Sequence, residues 1–139
     1  MALTETIRAR GHEHVTAAHA STFEVTTDDF LTPAGDCILG IEADRAPAAF
    51  DPDFVAACQD ATATITARLT AGTRETVITG RGDPALTFAS DRSAVGRTSD
   101  YIDDRTVMLE ADGAAADIDR ALVAAAADGA DVTLTLTVE

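Results

Sequence analysis

Apolar and polar residues alternate along much of this chain, which is the pattern of β-strands that bury one face. The alternation is clearest at the end of the chain, where Val132, Leu134, Leu136 and Val138 are separated by threonines. Residues 62–69 repeat the pattern and run into Ala71-Gly72, which predicts a hairpin turn. By the same criterion, further strands are predicted at residues 3–10, 18–25, 36–43, 73–79, 85–89 and 106–111.

Two segments with helical spacing interrupt the strands. Asp51 is a candidate N-cap with Pro52 at the first helical position, and a second helix is predicted over residues 114–127, ended by Gly129. No internal repeat or linker is apparent. Strands before, between and after two separated helices predict one domain over residues 1–139, mainly β or α+β, built largely from antiparallel strands.

The charge balance changes the expected setting of the protein. Asp and Glu total 24 against 10 basic residues, all of them Arg, which gives a formal net charge of −14. Such self-repulsion destabilises a compact state in dilute salt, whereas molar salt shortens the Debye length to about 3 Å and screens it. The composition is therefore typical of a high-salt background. It also argues against nucleic acid as a partner, since that needs a basic face.

The segments expected for export or membrane insertion are not apparent. No apolar run approaches the ~20 residues of a membrane span, and the first ten residues do not resemble a secretory signal, so we expect a cytoplasmic protein without a membrane partner. Cys37 and Cys58 are too far apart for a CxxC motif. We expect both to be small buried side chains, with Cys37 sharing a core face with Leu39 and Ile41.

A first candidate site is the histidine group at the end of the first predicted strand. If residues 11–14 are extended, His12 and His14 point to one face and can ligate one metal, with His19 as a third ligand. The alternative is that the pair arises by chance and that each ring is hydrogen-bonded within the fold. The identity of any metal or cofactor stays open.

Two further candidates lie in turns. Asp36 and Cys37 begin a strand, and Cys37 is a potential nucleophile if a histidine lowers its pKa. The segment 97–105 carries three carboxylates within five positions, with hydroxyl groups and two guanidiniums close by. It could hold Mg²⁺ or Ca²⁺, use Asp100 as a general base, or form Arg–carboxylate pairs that order the loop.

These segments also carry a family resemblance. Gly11-His12, His19, Leu31-Thr32-Pro33, the run 35–38, Gly80-Arg81-Gly82 and the run 99–108 resemble the archaeal domain of unknown function 371 over essentially the whole chain. The resemblance implies a β-sandwich of jelly-roll type with two flanking helices and no established activity. The family pattern includes His12, His19, Asp36, Cys37, Ser99, Asp100, Asp103, Asp104 and Arg105, whereas His14 departs from it.

Three functional hypotheses follow. The first is an enzyme whose pocket gathers His12, His19, Asp36, Ser99, Asp100, Asp103, Asp104 and Arg105. In it a histidine is the acid/base or metal ligand, Asp100 or Asp103 the base or orienting group, and Arg105 the anion clamp. The second is a non-catalytic module that binds a small ligand or a protein partner. The third is a structural ion network formed by Arg105 and the acids.

Overall fold

The computed structural model describes residues 2–139 and contains eight strands and two α-helices. The strands are β1 (Leu3–Arg10), β2 (Thr22–Thr26), β3 (Ile38–Gly40), β4 (Thr64–Ala71), β5 (Arg74–Arg81), β6 (Ser93–Arg97), β7 (Thr106–Met108) and β8 (Asp131–Val138). The helices are α1 (Pro52–Cys58) and α2 (Arg120–Ala127), each preceded by a short 3-10 helix, Pro47–Ala49 and Ala115–Asp117 respectively. Within residues 2–139, neither helix is long and apolar enough to cross a membrane.

The strands form two four-stranded sheets. The first sheet has the order β1-β8-β4-β5 and is antiparallel throughout. The second has the order β3-β2-β6-β7, with an antiparallel central pair and parallel edge pairs β2–β3 and β6–β7. The mainly β class with two helices is therefore confirmed. Four of the six strand pairs are antiparallel, in line with the expected largely antiparallel domain, and the two edge pairs of the second sheet are parallel, which was not expected.

The core lies where alternating strands of the first sheet meet the inner face of the second. Along β8, Val132, Leu134 and Leu136 are fully buried while the intervening threonines are half-buried. Helix α1 begins as the sequence predicts, because the Asp51 side chain accepts a hydrogen bond from the backbone N–H of Asp53 at 2.8 Å. The two helices contribute Phe54 and Leu122 to the core.

Some predicted elements differ from the observed ones. Residues 85–89 form no strand, and β6 was not predicted. The helix expected over 114–127 is divided, because Ile118 has extended backbone angles and Asp119 caps a new helix by accepting from the backbone N–H of Leu122 at 3.2 Å. A cap residue with a non-helical backbone begins a helix and cannot lie inside one.

The chain contains an internal repeat, which the sequence analysis missed. Arg-Gly recurs at 10–11 and 81–82, and Glu-Ala-Asp recurs at 42–44 and 110–112. Both halves run through three strands, a 3-10 helix, an α-helix and a fourth strand. Few residues are identical between the two halves. The sequence separation between equivalent residues also changes, from 71 positions between Arg10 and Arg81 to 68 between Glu42 and Glu110. A search for a repeat of constant length therefore does not detect it.

Equivalent contacts recur in the two halves. Arg10 pairs with Glu42 as Arg81 pairs with Glu110, and the neighbouring bridges Arg10–Ile41 and Arg81–Leu109 join the edges of the two sheets. In the antiparallel pair β2–β6, Glu24 lies directly opposite Val95, its own equivalent at the offset of 71. The approximate two-fold axis that relates the halves therefore passes between these two residues.

Candidate functional site

The outer face of the second sheet is unusually polar for a covered surface. Alternation directs Phe23 and Val25 of β2 into the core and turns Glu24 and Thr26 outward. The buried polar residues of the described chain are Glu5, Glu24, Thr26, Ser93, Arg97 and Thr106. All except Glu5 belong to the second sheet. We refer to this outward-facing surface, covered by residues 27–37 and 98–105, as the polar face.

Asp103 accepts several hydrogen bonds on one side of the polar face. Its carboxylate accepts hydrogen bonds from Arg97 Nη2 at 2.9 Å, from Arg105 Nη2 at 2.8 Å and from the backbone N–H of Arg105 at 2.9 Å. Partial burial acts to raise the pKa of Asp103, but the hydrogen bonds from Arg105 and the charges of Arg97 and Arg105 outweigh it and lower the pKa to about 2. The group therefore orders the loop and is poorly suited to act as a base near neutral pH.

Glu24 lies at the centre of the polar face, on the two-fold axis. Its side chain is only 11% exposed. Cys37 Sγ donates to Glu24 Oε1 over 3.5 Å, and Arg105 Nη1 stands 4.0 Å from the same oxygen. Cys37 and Arg105 occupy equivalent positions of the two repeats, at an offset of 68. One carboxylate is thus approached by a thiol from one half and a guanidinium from the other.

A cavity of about 230 Å³ opens beside Glu24. Its charged lining comes from Glu24, Asp28, Arg92 and Arg105, and Phe30, Leu31 and Ile38 provide an apolar wall. Arg92 is held by two hydrogen bonds to Asp28, from Nε at 2.8 Å and from Nη2 at 2.7 Å. The cavity therefore offers both signs of charge within a small volume.

The histidines lie outside this cavity. Residues 13–14 form a turn, so the extended geometry needed for an HxH metal pair is wrong. His12 Nδ1 instead accepts the backbone N–H of His14 at 3.0 Å, and His14 Nδ1 lies 2.9 Å from the carbonyl of Leu31. His19 Nδ1 accepts the backbone N–H groups of Ser21 and Thr22, each at 3.2 Å. Within residues 2–139, no three His, Cys, Asp or Glu side chains are grouped to hold a metal ion.

The other predicted site residues are dispersed. The backbone carbonyl of Asp36 accepts from Ala18 and His19, which brings two of the predicted segments together through the main chain only. Asp104 is exposed and accepts the Thr87 hydroxyl at 2.9 Å.

The remaining two residues of that loop are also outside the cavity lining. Ser99 Oγ accepts the backbone N–H of Tyr101, and Asp100 is exposed. Of the eight predicted residues, Asp103 and Arg105 meet at the polar face, and Arg105 alone lines the cavity.

Cys37 differs from its predicted place in the core. The strand begins only at Ile38, and the Cys37 thiol turns toward Glu24 on the polar face. Burial, followed by the negative charge of Glu24, raises the pKa of the Cys37 thiol to about 11. A thiol with this pKa is protonated near neutral pH and is a weak nucleophile. Cys58 is fully buried as predicted, and both cysteines are free.

Sequence reasoning missed Glu24, Asp28 and Arg92. Glu24 stands inside an alternating run, Phe23-Glu24-Val25, where a charged residue normally faces solvent. The only available signal was the internal repeat, which would have shown that the equivalent of Glu24 is the apolar Val95.

Comparison with known proteins agrees with the resemblance drawn from the motifs. An uncharacterized protein of Methanocaldococcus jannaschii is 36% identical over 132 residues, an alignment that covers 95% of this chain and 97% of the relative. The family model described as "Domain of unknown function (DUF371)" matches residues 7–139. The chain therefore belongs to the DUF371 family.

Proposed function

We propose that this protein is a small-ligand-binding module and that its site is the cavity at the centre of the polar face. The observation that carries the proposal concerns Glu24, whose side chain is 11% exposed. Among residues 2–139, its carboxylate is approached only by the Cys37 thiol at 3.5 Å and by the Arg105 guanidinium at 4.0 Å. A buried charge is costly unless it is closely paired and hydrogen-bonded. A ligand that supplies a donor to Glu24 removes this cost.

Glu5 provides the comparison within the same chain. It is equally buried, but Arg45 Nη1 lies 2.6 Å from its Oε1, and the backbone N–H of Asp51 donates to its Oε2 at 2.6 Å. Both oxygens of Glu5 thus have close donors, as expected of a structural carboxylate. Glu24 is held far more weakly, and it lines a cavity.

The repeat supplies a second argument. The equivalent of Glu24 in the other half is Val95, which is 2% exposed. An apolar side chain therefore fits the fold at this position. Because packing does not require a carboxylate on the axis, a role in binding is the better account of Glu24.

Binding is favoured over catalysis by the condition of the reactive groups. The raised pKa keeps the Cys37 thiol protonated, Asp103 is engaged by two arginines, and the histidine Nδ1 atoms lie near backbone groups outside the cavity. The enzyme hypothesis needs His12, His19 and Asp36 to reach the cavity of Arg105, and the cavity lining gives it no support.

The test is a ligand screen with a matched pair of variants. Thermal melting in phosphate-free buffer at fixed KCl concentration is followed against small carboxylates, phosphates, amines and amino acids, and calorimetry is applied to each compound that raises the melting temperature. Glu24→Gln, which keeps the shape of the side chain, should weaken binding about tenfold or more. Glu75→Gln removes an exposed carboxylate of the β4–β5 hairpin and should leave affinity unchanged. Equal affinity in the two variants, or no binding at all, would overturn the proposal.

We also propose that the module works in a high-salt, reducing cytoplasm. The support is the formal charge of −14, together with two cysteines that are free in the fold. The salt dependence that this proposal implies is a property of the whole molecule.

A further inference from the structure

We infer that the ligand of the cavity is a small zwitterion, whose cationic nitrogen is received by Glu24 and whose anionic group is received by Arg105 and Arg92. This inference rests on the proposed function and names the chemical class of its ligand. It stands on three properties of the cavity, which are the unmatched carboxylate, the free ends of the guanidiniums and the small apolar wall.

Glu24 lines the cavity and keeps one carboxylate oxygen without a hydrogen bond to the described residues. Among residues 2–139, its Oε1 receives the Cys37 thiol, and no hydrogen bond reaches its Oε2. Every fully buried side-chain oxygen or nitrogen in the described chain has a partner, so this oxygen is not fully buried. Because Glu24 lines the cavity, we assign the accessible surface of Oε2 to the cavity. A carboxylate in this position favours a ligand group that carries several N–H donors and a positive charge.

The positive side of the cavity is formed by two arginines that are already oriented. Arg105 directs Nε and Nη2 to Asp103, and Arg92 directs Nε and Nη2 to Asp28. In each guanidinium, Nη1 has no hydrogen bond to the described residues, and Arg105 Nη1 is the atom that faces Glu24. Fixed guanidinium forks bind carboxylate or phosphate oxygens with little further ordering. The remaining donors therefore suit an anionic group.

The size and apolar wall of the cavity limit the body of the ligand. A volume of about 230 Å³ equals that of roughly eight water molecules in the liquid, so the ligand is of amino-acid size. Leu31 and Ile38 line this space, together with Phe30, which is 57% exposed. A short aliphatic body fits between them. A compact ligand with both charges pairs its cation with the carboxylate of the lining and its anion with the guanidiniums. Neither the lining nor the ligand then has a buried charge without a partner.

The experiment compares ligands that differ only in charge. The amino acids with uncharged side chains, proline excepted, are screened by melting and calorimetry at fixed KCl concentration, beside the deaminated carboxylate and the decarboxylated amine of each, such as valine, 3-methylbutanoate and 2-methylpropylamine. We expect at least one amino acid to bind about tenfold or more tightly than both of its singly charged counterparts. Glu24→Gln should reduce affinity for the amino acid about tenfold and affinity for the carboxylate less than twofold.

Glu5→Gln separates binding from folding. Because Glu5 is buried with close partners outside the cavity, this variant should lower the melting temperature and leave affinity for the amino acid unchanged. If an amine alone binds as tightly as the zwitterion and loses affinity in Glu24→Gln, the inference is overturned while the small-ligand function stands. If a carboxylate alone binds as tightly as the zwitterion and its affinity is equal in Glu24→Gln and Glu75→Gln, both are overturned. If no zwitterion, carboxylate, phosphate or amine binds, both are overturned.

Discussion

At the scale of single residues, Asp103 shows how the chain builds the polar face. Arg97 is 10% exposed in its side chain and is neutralised by Asp103, while its Nε donates to Thr106 Oγ1 at 2.9 Å. The same carboxylate fixes Arg105, whose guanidinium reaches the cavity. Asp103 therefore stabilises the buried Arg97 and positions Arg105, which lines the cavity. The structural ion network proposed for Arg105 and the acids corresponds to the pair Asp103–Arg105, which Arg97 joins. Glu24 makes no such close pair, because Arg105 Nη1 lies 4.0 Å from its Oε1.

Asp103→Asn should destabilise the protein by about 1–2 kcal/mol at pH 7, as measured by chemical denaturation at fixed salt. The pKa of Asp103 is lowered to about 2, so its contribution is complete above the pKa of about 4 in the unfolded chain and is lost as the pH falls through 2. The difference between wild type and variant should therefore shrink between pH 4 and pH 2. Asp100→Asn, at an exposed position of the same loop, should change stability by less than about 0.5 kcal/mol. If the difference in unfolding free energy between wild type and Asp103→Asn does not change with pH, the stabilising role of the ionised Asp103 is contradicted.

At the scale of elements, the pattern of the sequence predicts strands well where one face is buried and the other exposed. β1 has the predicted bounds and β8 begins one residue early, because their alternation reports a real difference between two faces. In β6 all five residues are buried, so no alternation marks the strand. Glu24 in β2 was not predicted as a site residue, because a charged residue within an alternating run normally faces solvent, whereas here it is buried.

The candidate site could be predicted only where its contacts are local. The Arg–carboxylate pairing of Asp103 and Arg105 spans two positions, and the sequence suggested it as one alternative. The meeting of Glu24, Cys37 and Arg105 depends on β2 lying between β3 and β6, an order that no local pattern specifies. The strand pairing that brings these residues together is therefore determined by the tertiary fold and not by the local sequence.

Gly11 and Gly82 test whether the two repeats are built alike. A Cβ at Gly11 would overlap the backbone carbonyl of Ala126 in α2, and a Cβ at Gly82 would overlap that of Cys58 in α1. Because backbone atoms at the end of a packed helix cannot move aside cheaply, Gly11→Ala and Gly82→Ala should each cost about 1–3 kcal/mol or more in denaturant unfolding. Gly113→Ala meets only ordinary contacts, the nearest at 3.5 Å, and serves as the control. If either substitution leaves the free energy of unfolding unchanged, the close contact between the glycine and the helix is not equivalent in the two repeats.

At the scale of the whole molecule, carboxylates far outnumber the charges available to pair with them. Eight of the ten arginines of the described chain lie within 4.0 Å of a carboxylate: Arg10, Arg45, Arg68, Arg74, Arg81, Arg92, Arg97 and Arg105. With 24 acidic residues in the chain, most of the remaining ones repel each other across the surface. Since the Debye length falls from about 8 Å at 0.15 M salt to about 3 Å at 1 M, added salt removes most of this repulsion.

The melting temperature should therefore rise markedly as KCl increases from 0.15 M to 2 M. A variant with Asp29, Asp100 and Asp128 changed to Asn, three exposed residues without an ion pair in the described chain, should be more stable in 0.15 M KCl and show a smaller increase. Screened repulsion and specific hydration of carboxylates predict different results here. If repulsion dominates, the melting temperatures of wild type and variant converge at high KCl concentration, because the charges are then screened from one another. A wild-type melting temperature that is flat or falling over this range would contradict the proposed high-salt setting, and curves that diverge at high salt would assign the stabilisation to hydrated carboxylates instead.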